Sequence, residues 1–119
     1  MQKRILVVDD DEGVRQLLTD RLQAMGFVVV TAADGRAGLE AIRSSWIDGV
    51  FLDCEMPVMH GLEMLRELRA WYPRIFVFMM SGNPDPEKVD RALTLGAKGF
   101  FLKPFDFRRL EEQCRRLFE

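Results

Sequence analysis

At 119 residues, 48% hydrophobic and 30% charged, the chain has the length of one domain and enough apolar residues for a packed core. Its formal net charge of -2 excludes general nucleic-acid binding by this chain alone, because affinity for a phosphate backbone needs clustered Lys and Arg. No apolar stretch approaches membrane-spanning length and no signal peptide is visible, so a soluble cytoplasmic protein without a membrane partner is expected.

Strands and helices alternate along the whole sequence. Ile5 to Val8 is apolar without alternation, as parallel strands are when both faces are covered. Val14, Leu17, Leu18, Leu22 and Met25 then recur at helical spacing, and Gly26 stops that helix. Phe27 to Thr31 reads as a second strand, and Arg36 to Arg43 as a short helix with Leu39 and Ile42 turned inward. Gly49 to Asp53 is the third strand. Gly61 opens a helix carrying Leu62, Leu65 and Leu68, which Pro73 ends because proline disfavours helix at the residue before it.

Ile75 to Met80 forms the fourth strand. Asp85 suits a helix N-cap, with Pro86 at the first helical position. Val89, Ala92 and Leu93 are expected to face the core and Gly96 to close the helix. Gly99 to Leu102 is the fifth strand. Asp106 caps a last helix with Leu110, Cys114, Leu117 and Phe118 on one stripe. The pattern implies a single α/β domain, (βα)5, with a doubly wound five-stranded parallel sheet and helices on both faces. The flavodoxin-like strand order, 2-1-3-4-5, makes the first and third strands neighbours at the switch point. Cys54 and Cys114 show no metal spacing and read as two reduced thiols.

Four of the apolar runs end in residues suited to phosphate chemistry. ILVV runs into Asp9 and Asp10, GVFL into Asp53, IFVFMM into Ser81, and GFFL into Lys103 and Pro104. Ligands of open parallel sheets bind beyond the carboxyl ends of the strands. Gathered carboxylates repel one another and call for a cation. Hard oxygen ligands with few protein contacts suit Mg²⁺. Asp11 and Glu12 read as ordinary acids at a helix N-terminus. Asp53 is either a third ligand only or a nucleophile, since a carboxylate can attack a phosphoryl group. Lys103 suits neutralisation of a phosphoryl oxygen and Ser81 a hydrogen bond to another. Taken singly, Ser81 is a turn residue and Lys103 a solvated charge; it is their agreement at four strand ends that favours a site.

VVDDDEGVRQLL, FLDCEMPVMHGLEML, MMSG and GAKGFFLKPF stand in the order and at the distances of one family. Over essentially its whole length, 1–119, the chain resembles the receiver domain of bacterial two-component response regulators. The resemblance implies that Asp53 is the phospho-acceptor. It implies that Asp9 and Asp10 hold Mg²⁺ with Asp53, one of them through water, and that the backbone carbonyl of Glu55 completes the protein ligands. It implies that Lys103 pairs with the phosphoryl group and that the Lys103–Pro104 peptide is cis. It further implies a switch in which Ser81 moves toward the phosphoryl group and Phe100 turns inward. Partners implied are a sensor histidine kinase or phosphotransfer protein as donor, and a downstream protein or effector domain on the face of the fourth helix, fifth strand and last helix. Pairing into a homodimer on phosphorylation is a further output the resemblance allows.

Phe100 stands where the family often has tyrosine, and without a hydroxyl it is expected to sit further inward. His60, where an aspartate is frequent, is expected near a helix start and partly exposed. Asn83-Pro84-Asp85-Pro86 is expected to stiffen the loop after Ser81. Glu55 and Asn83 are expected along the path of the attacking water. The mixed charges of the last helix, Arg108, Arg109, Glu111, Glu112, Arg115 and Arg116, read as a solvated face.

The chain therefore reads as a switch that catalyses its own phosphorylation and dephosphorylation, not as a turnover enzyme. A Mg²⁺-dependent phosphohydrolase using Asp53 would want a cap insertion and a second acid in an Asp-x-Asp pattern, where Glu55 stands instead. A flavodoxin-like mononucleotide binder would want hydroxyl and glycine donors where Asp9, Asp10 and Asp11 stand. A phosphorylation-independent binding module would have no use for the complete set of acids, serine and lysine. No effector segment is read in the sequence, which leaves open a stand-alone regulator or a receiver cut from a longer protein.

Overall fold

Unbroken apolar runs become parallel strands here because helices cover both faces of the sheet. The computed structural model describes residues 2–57 and 59–118. The elements run β1 (Arg4–Val8), α1 (Glu12–Ala24), β2 (Val28–Ala32), α2 (Gly35–Ser44), β3 (Gly49–Asp53), α3 (Gly61–Trp71), β4 (Phe76–Ser81), α4 (Pro86–Thr94), β5 (Gly99–Leu102) and α5 (Phe107–Phe118). The sheet is wholly parallel in the order β2-β1-β3-β4-β5. The expected architecture and strand order are thus observed, with strand and helix ends shifted by one or two residues.

Alternation along each strand sorts the core into two layers. Leu6, Val8, Val50, Leu52, Val77, Met79 and Phe100 pack with Leu39 and Ile42 of α2, Met64, Leu65 and Leu68 of α3, and Ala92 of α4. Ile5, Val7, Phe51, Phe78, Met80 and Phe101 pack with Leu18 and Leu22 of α1 and Leu110 and Cys114 of α5. In the second layer Phe51 and Phe78 stack at 5.0 Å, and Phe101 tilts against Phe78 at 5.6 Å. That aromatic row ties β3, β4 and β5 together under the site.

Helix ends follow local chemistry. Asp11 caps α1 by accepting from the Gly13 and Val14 amides, Asp34 caps α2 and Asp85 caps α4. Gly26 and Gly96 stop α1 and α4 at positive φ (95° and 105°), a region L side chains rarely enter. Two side chains depart from the sequence expectation. Leu17 is 44% exposed, because the inward stripe of α1 runs through Val14, Leu18 and Leu22. Leu93 is 48% exposed, because nine-residue α4 meets the sheet along the narrow line of Val89, Ala92 and Leu95.

Register brings the strand ends level. Val8 of β1 lies opposite Leu52 of β3, Asp53 opposite Met80 of β4, and Ser81 opposite Leu102 of β5. Asp9, Asp53, Ser81 and Lys103 therefore emerge along one edge, at the carboxyl end of the sheet.

Candidate functional site: an acidic cluster at the carboxyl end of the sheet

Asp9 leaves β1 with its backbone still in the sheet: its amide donates to Ala32 O at 3.1 Å. Arg15 donates to the Asp9 carbonyl at 2.7 Å, and the Asp9 carboxylate accepts from the Asp11 amide at 2.9 Å. The Asp9 side chain is fully buried. Asp10, one residue on, is exposed. Asp53 is the last residue of β3, 2% exposed, and accepts from the Glu55 amide at 3.2 Å. One carboxylate oxygen from each of Asp9, Asp10 and Asp53 falls within a 4.8 Å group. Burial, then the neighbouring Asp9 charge, pushes the Asp53 carboxyl up from 3.8 to about 6, against the pull of Lys103 and the Glu55 amide.

Lys103 closes the cluster from β5. Its ammonium lies 2.6 Å from Asp9 Oδ2 and 3.5 Å from Asp53 Oδ1. The Lys103–Pro104 peptide is cis, as the resemblance implies. Burial depresses the Lys103 pKa, but the Asp9 hydrogen bond and the two carboxylate charges outweigh it and raise the value above the ordinary one. Three carboxylates facing one ammonium leave negative charge uncompensated. Hard, clustered oxygens with that surplus charge fit a small divalent cation.

Gly61 makes the site's geometry possible. The start of α3 lies so close to the end of β3 that a Cβ on Gly61 would stand 2.2 Å from the Asp53 carbonyl oxygen and 2.7 Å from Cys54 Cα. The Gly61 amide instead donates to Cys54 O at 3.1 Å. Sequence reading gives Gly61 only as a helix start. His60 before it is exposed and caps α3, its Nδ1 accepting from the Leu62 amide at 3.3 Å, in line with a bland role at a helix start. Cys54 and Cys114 are buried free thiols, each pushed up to about 12 by burial.

Ser81 and Phe100 lie beside the cluster. Ser81 is fully buried at the end of β4, and its hydroxyl donates to the Glu55 carboxylate at 2.9 and 2.8 Å. Glu55 thus turns its carboxylate onto Ser81, a partner the sequence reading did not name. Glu55 also pairs with Lys88 of α4 at 3.0 Å. Lys88 escaped the sequence reading because no spacing links it to Glu55, 33 positions earlier. Phe100 is buried, 7% exposed, in the layer beneath α4.

A family model described as the response regulator receiver domain matches residues 5–115. The chain belongs to that family. Among curated receivers, it is 37% identical over 117 residues to response regulator MprA of Mycolicibacterium vanbaalenii, covering 98% of this chain and 51% of that protein. It is 30% identical over 116 residues to sporulation initiation phosphotransferase F of Bacillus subtilis, covering 98% of this chain and 94% of that one. The chain spans about a quarter to about a half of the length of several curated relatives. Among solved receivers, the response regulator TrrA of Thermotoga maritima in complex with Mg²⁺-BeF superposes with a TM-score of 0.89 at 33% identity, covering 98% of this chain and 100% of that one. No helix among the described residues of this receiver is long and apolar enough to cross a membrane.

Proposed function

We propose that residues 1–119 form one cytoplasmic receiver domain that takes a phosphoryl group on Asp53 from a phosphohistidine of a sensor histidine kinase or phosphotransfer protein. The observation that carries this reading is the burial of Asp53 between Asp9, Asp10 and the Lys103 ammonium. An Asp53 carboxylate oxygen attacks phosphorus, the bond from phosphorus to the imidazole nitrogen breaks, and that nitrogen keeps the electron pair. Asp9, Asp10 and Asp53, with the Glu55 backbone carbonyl, would hold Mg²⁺. When bound, Mg²⁺ supplies positive charge that offsets repulsion between the carboxylate and the incoming phosphoryl oxygens. Lys103, with its ammonium 3.5 Å from Asp53 Oδ1, takes a further phosphoryl oxygen, exchanging part of its contact with Asp9.

Dephosphorylation passes the phosphoryl group from Asp53 on to water. Water attacks phosphorus, the Asp53 carboxylate leaves, and inorganic phosphate is released. Output passes through α4, β5 and α5 once Ser81 turns to the phosphoryl group, against a Phe100 that is already buried beneath α4. Leu93 on α4 and Leu102 on β5, 48% and 50% exposed, give that face apolar anchors for a downstream protein, an effector domain or a second copy.

Native mass spectrometry with Mg²⁺ and a small acyl phosphate, run beside Asp53→Asn, tests the reading. One added phosphoryl group in the wild type and none in the variant is the expected result. Label retained by Asp53→Asn would overturn the acceptor assignment, and the same spectra report whether phosphorylated copies pair.

A further inference from the structure

We propose that Lys88 is a positioning residue that holds Glu55 over Ser81 and so withholds the Ser81 hydroxyl from the acceptor until phosphorylation. The inference rests on the reading of Ser81 as the hydroxyl that meets the phosphoryl group, and it adds the restraint that Ser81 must leave.

A serine hydroxyl carries one proton to donate. Here that proton is directed at the two oxygens of Glu55, at 2.9 and 2.8 Å. The Ser81 oxygen also accepts from the Asn83 amide at 3.1 Å, so the loop after β4 is folded around this orientation. Glu55 is held in turn by the Gly82 amide at 3.3 Å and by the Lys88 ammonium at 3.0 Å. Lys88 makes a second bond, to the Asn83 carbonyl at 3.1 Å. One ammonium therefore joins the loop after β3, the loop after β4 and the first turn of α4.

An exposed ion pair would contribute little to such an arrangement. The Lys88 side chain is only 16% exposed, against 39% for Glu55. Its own amide is fixed by the Asp85 cap at 2.8 Å. The lysine is thus anchored at both ends, and the half-open carboxylate is the member that depends on it. Without Lys88, Glu55 keeps only uncharged donors, and water competes for a carboxylate that already reaches solvent. Ser81 is then free to turn. When Ser81 turns in the intact protein, Glu55 keeps the Lys88 charge and the Gly82 amide, so the exchange costs one hydrogen bond and strands no buried charge.

The test uses the full chain as wild type, Lys88→Met, Lys88→Arg, Glu55→Ala and the Lys88→Met/Glu55→Ala pair. Amide hydrogen exchange at Gly82 and Asn83 is read in the unphosphorylated, metal-free protein, and phosphorylation rate is read with Mg²⁺ and a small acyl phosphate. Lys88→Met is expected to speed exchange at both amides and to raise the phosphorylation rate, each about 5- to 10-fold, the equivalent of one ordinary hydrogen bond. Lys88→Arg is expected to restore both values. Adding Lys88→Met to Glu55→Ala is expected to change neither. Unchanged exchange in Lys88→Met, or the same acceleration without Glu55, would overturn the restraint. A wild type that takes no phosphoryl group would instead overturn the receiver reading of Asp53, and the exchange data would still decide whether Lys88 holds the loop.

Discussion

The Lys103 ammonium sits 2.6 Å from Asp9 and 3.5 Å from Asp53, so the cation that the acceptor needs is shared with a neighbour. Asp9 has no exposed surface, and its carboxylate meets no other ammonium or guanidinium among the described residues. Replacing Lys103 by Met leaves that charge buried beside two more carboxylates. Loss of one partner from a buried pair costs about 3–5 kcal/mol, and the part-exposed lysine brings the expected loss here to about 2–3 kcal/mol. Urea unfolding of the metal-free variant measures it. Added Mg²⁺ is expected to return more stability to the variant than to the wild type, because it supplies the missing charge. Equal gains in both would show that Lys103 does not balance this cluster.

Asp53 gives the opposite sign. Its carboxyl rises from 3.8 to about 6, chiefly through burial and then through Asp9, so the folded protein holds that proton more tightly than the unfolded chain does. Its contribution is favourable at low pH and is lost as pH climbs through that interval, leaving a penalty at neutrality. Asp53→Asn removes the penalty. With allowance for solvent near the mouth of the site, the variant is expected to be about 1–2 kcal/mol more stable than the metal-free wild type at pH 7. The gain should vanish below pH 4. Denaturant titrations at several pH values check this, and a pH-independent gain would point to packing in place of charge.

The strand ends were legible because each apolar run stops at a residue whose chemistry stands out from its neighbours. Asp9, Asp53, Ser81 and Lys103 could be placed on one edge as soon as the strands were taken as parallel, and the observed register brings them level. Side-chain direction was less legible. Leu17 and Leu93 lie at helical spacing but on the margin of their stripes, and only the width of the groove beneath each helix decides their burial. Glu55 was set on the path of the attacking water by its place two residues after Asp53, and that place says nothing of its partners. Its donors, Ser81 and Lys88, come from the next strand and helix, and only the fold sets those distances.

Gly61 is the backbone requirement of the site that composition does not announce. Its φ is not positive, so the demand is for space alone. In Gly61→Ala, the added methyl would meet backbone atoms at 2.2 and 2.7 Å, and neither can turn aside as a flexible side chain would. Overpacking costs about 1–3 kcal/mol, and this contact belongs at the upper end. Because the clash falls on the Asp53 carbonyl, the expected loss of phosphorylation exceeds what the loss of folded protein explains. Comparing acyl-phosphate labelling with urea stability separates the two, and a variant with wild-type labelling would mean that α3 can shift without moving the acceptor.

Phe100 offers the sharpest test of how far packing alone sets the resting state of the proposed switch. The ring is 7% exposed and lies with Val77, Met79 and Ala92 in an apolar layer. A phenyl ring asks for no partner there. Phe100→Tyr adds a hydroxyl that must either find an acceptor or reach water, and an unpaired buried hydroxyl costs about 1–3 kcal/mol in proteins. The expected result is a tyrosine ring turned outward for most of the time, seen as a solvent-exposed ring by nuclear magnetic resonance or by nitration. Phosphorylation on Asp53 should then draw the ring inward, where in the wild type it changes Phe100 little. A variant whose tyrosine stays buried without phosphorylation would show that the layer beneath α4 holds a polar partner, and that the inward position of Phe100 owes nothing to its missing hydroxyl.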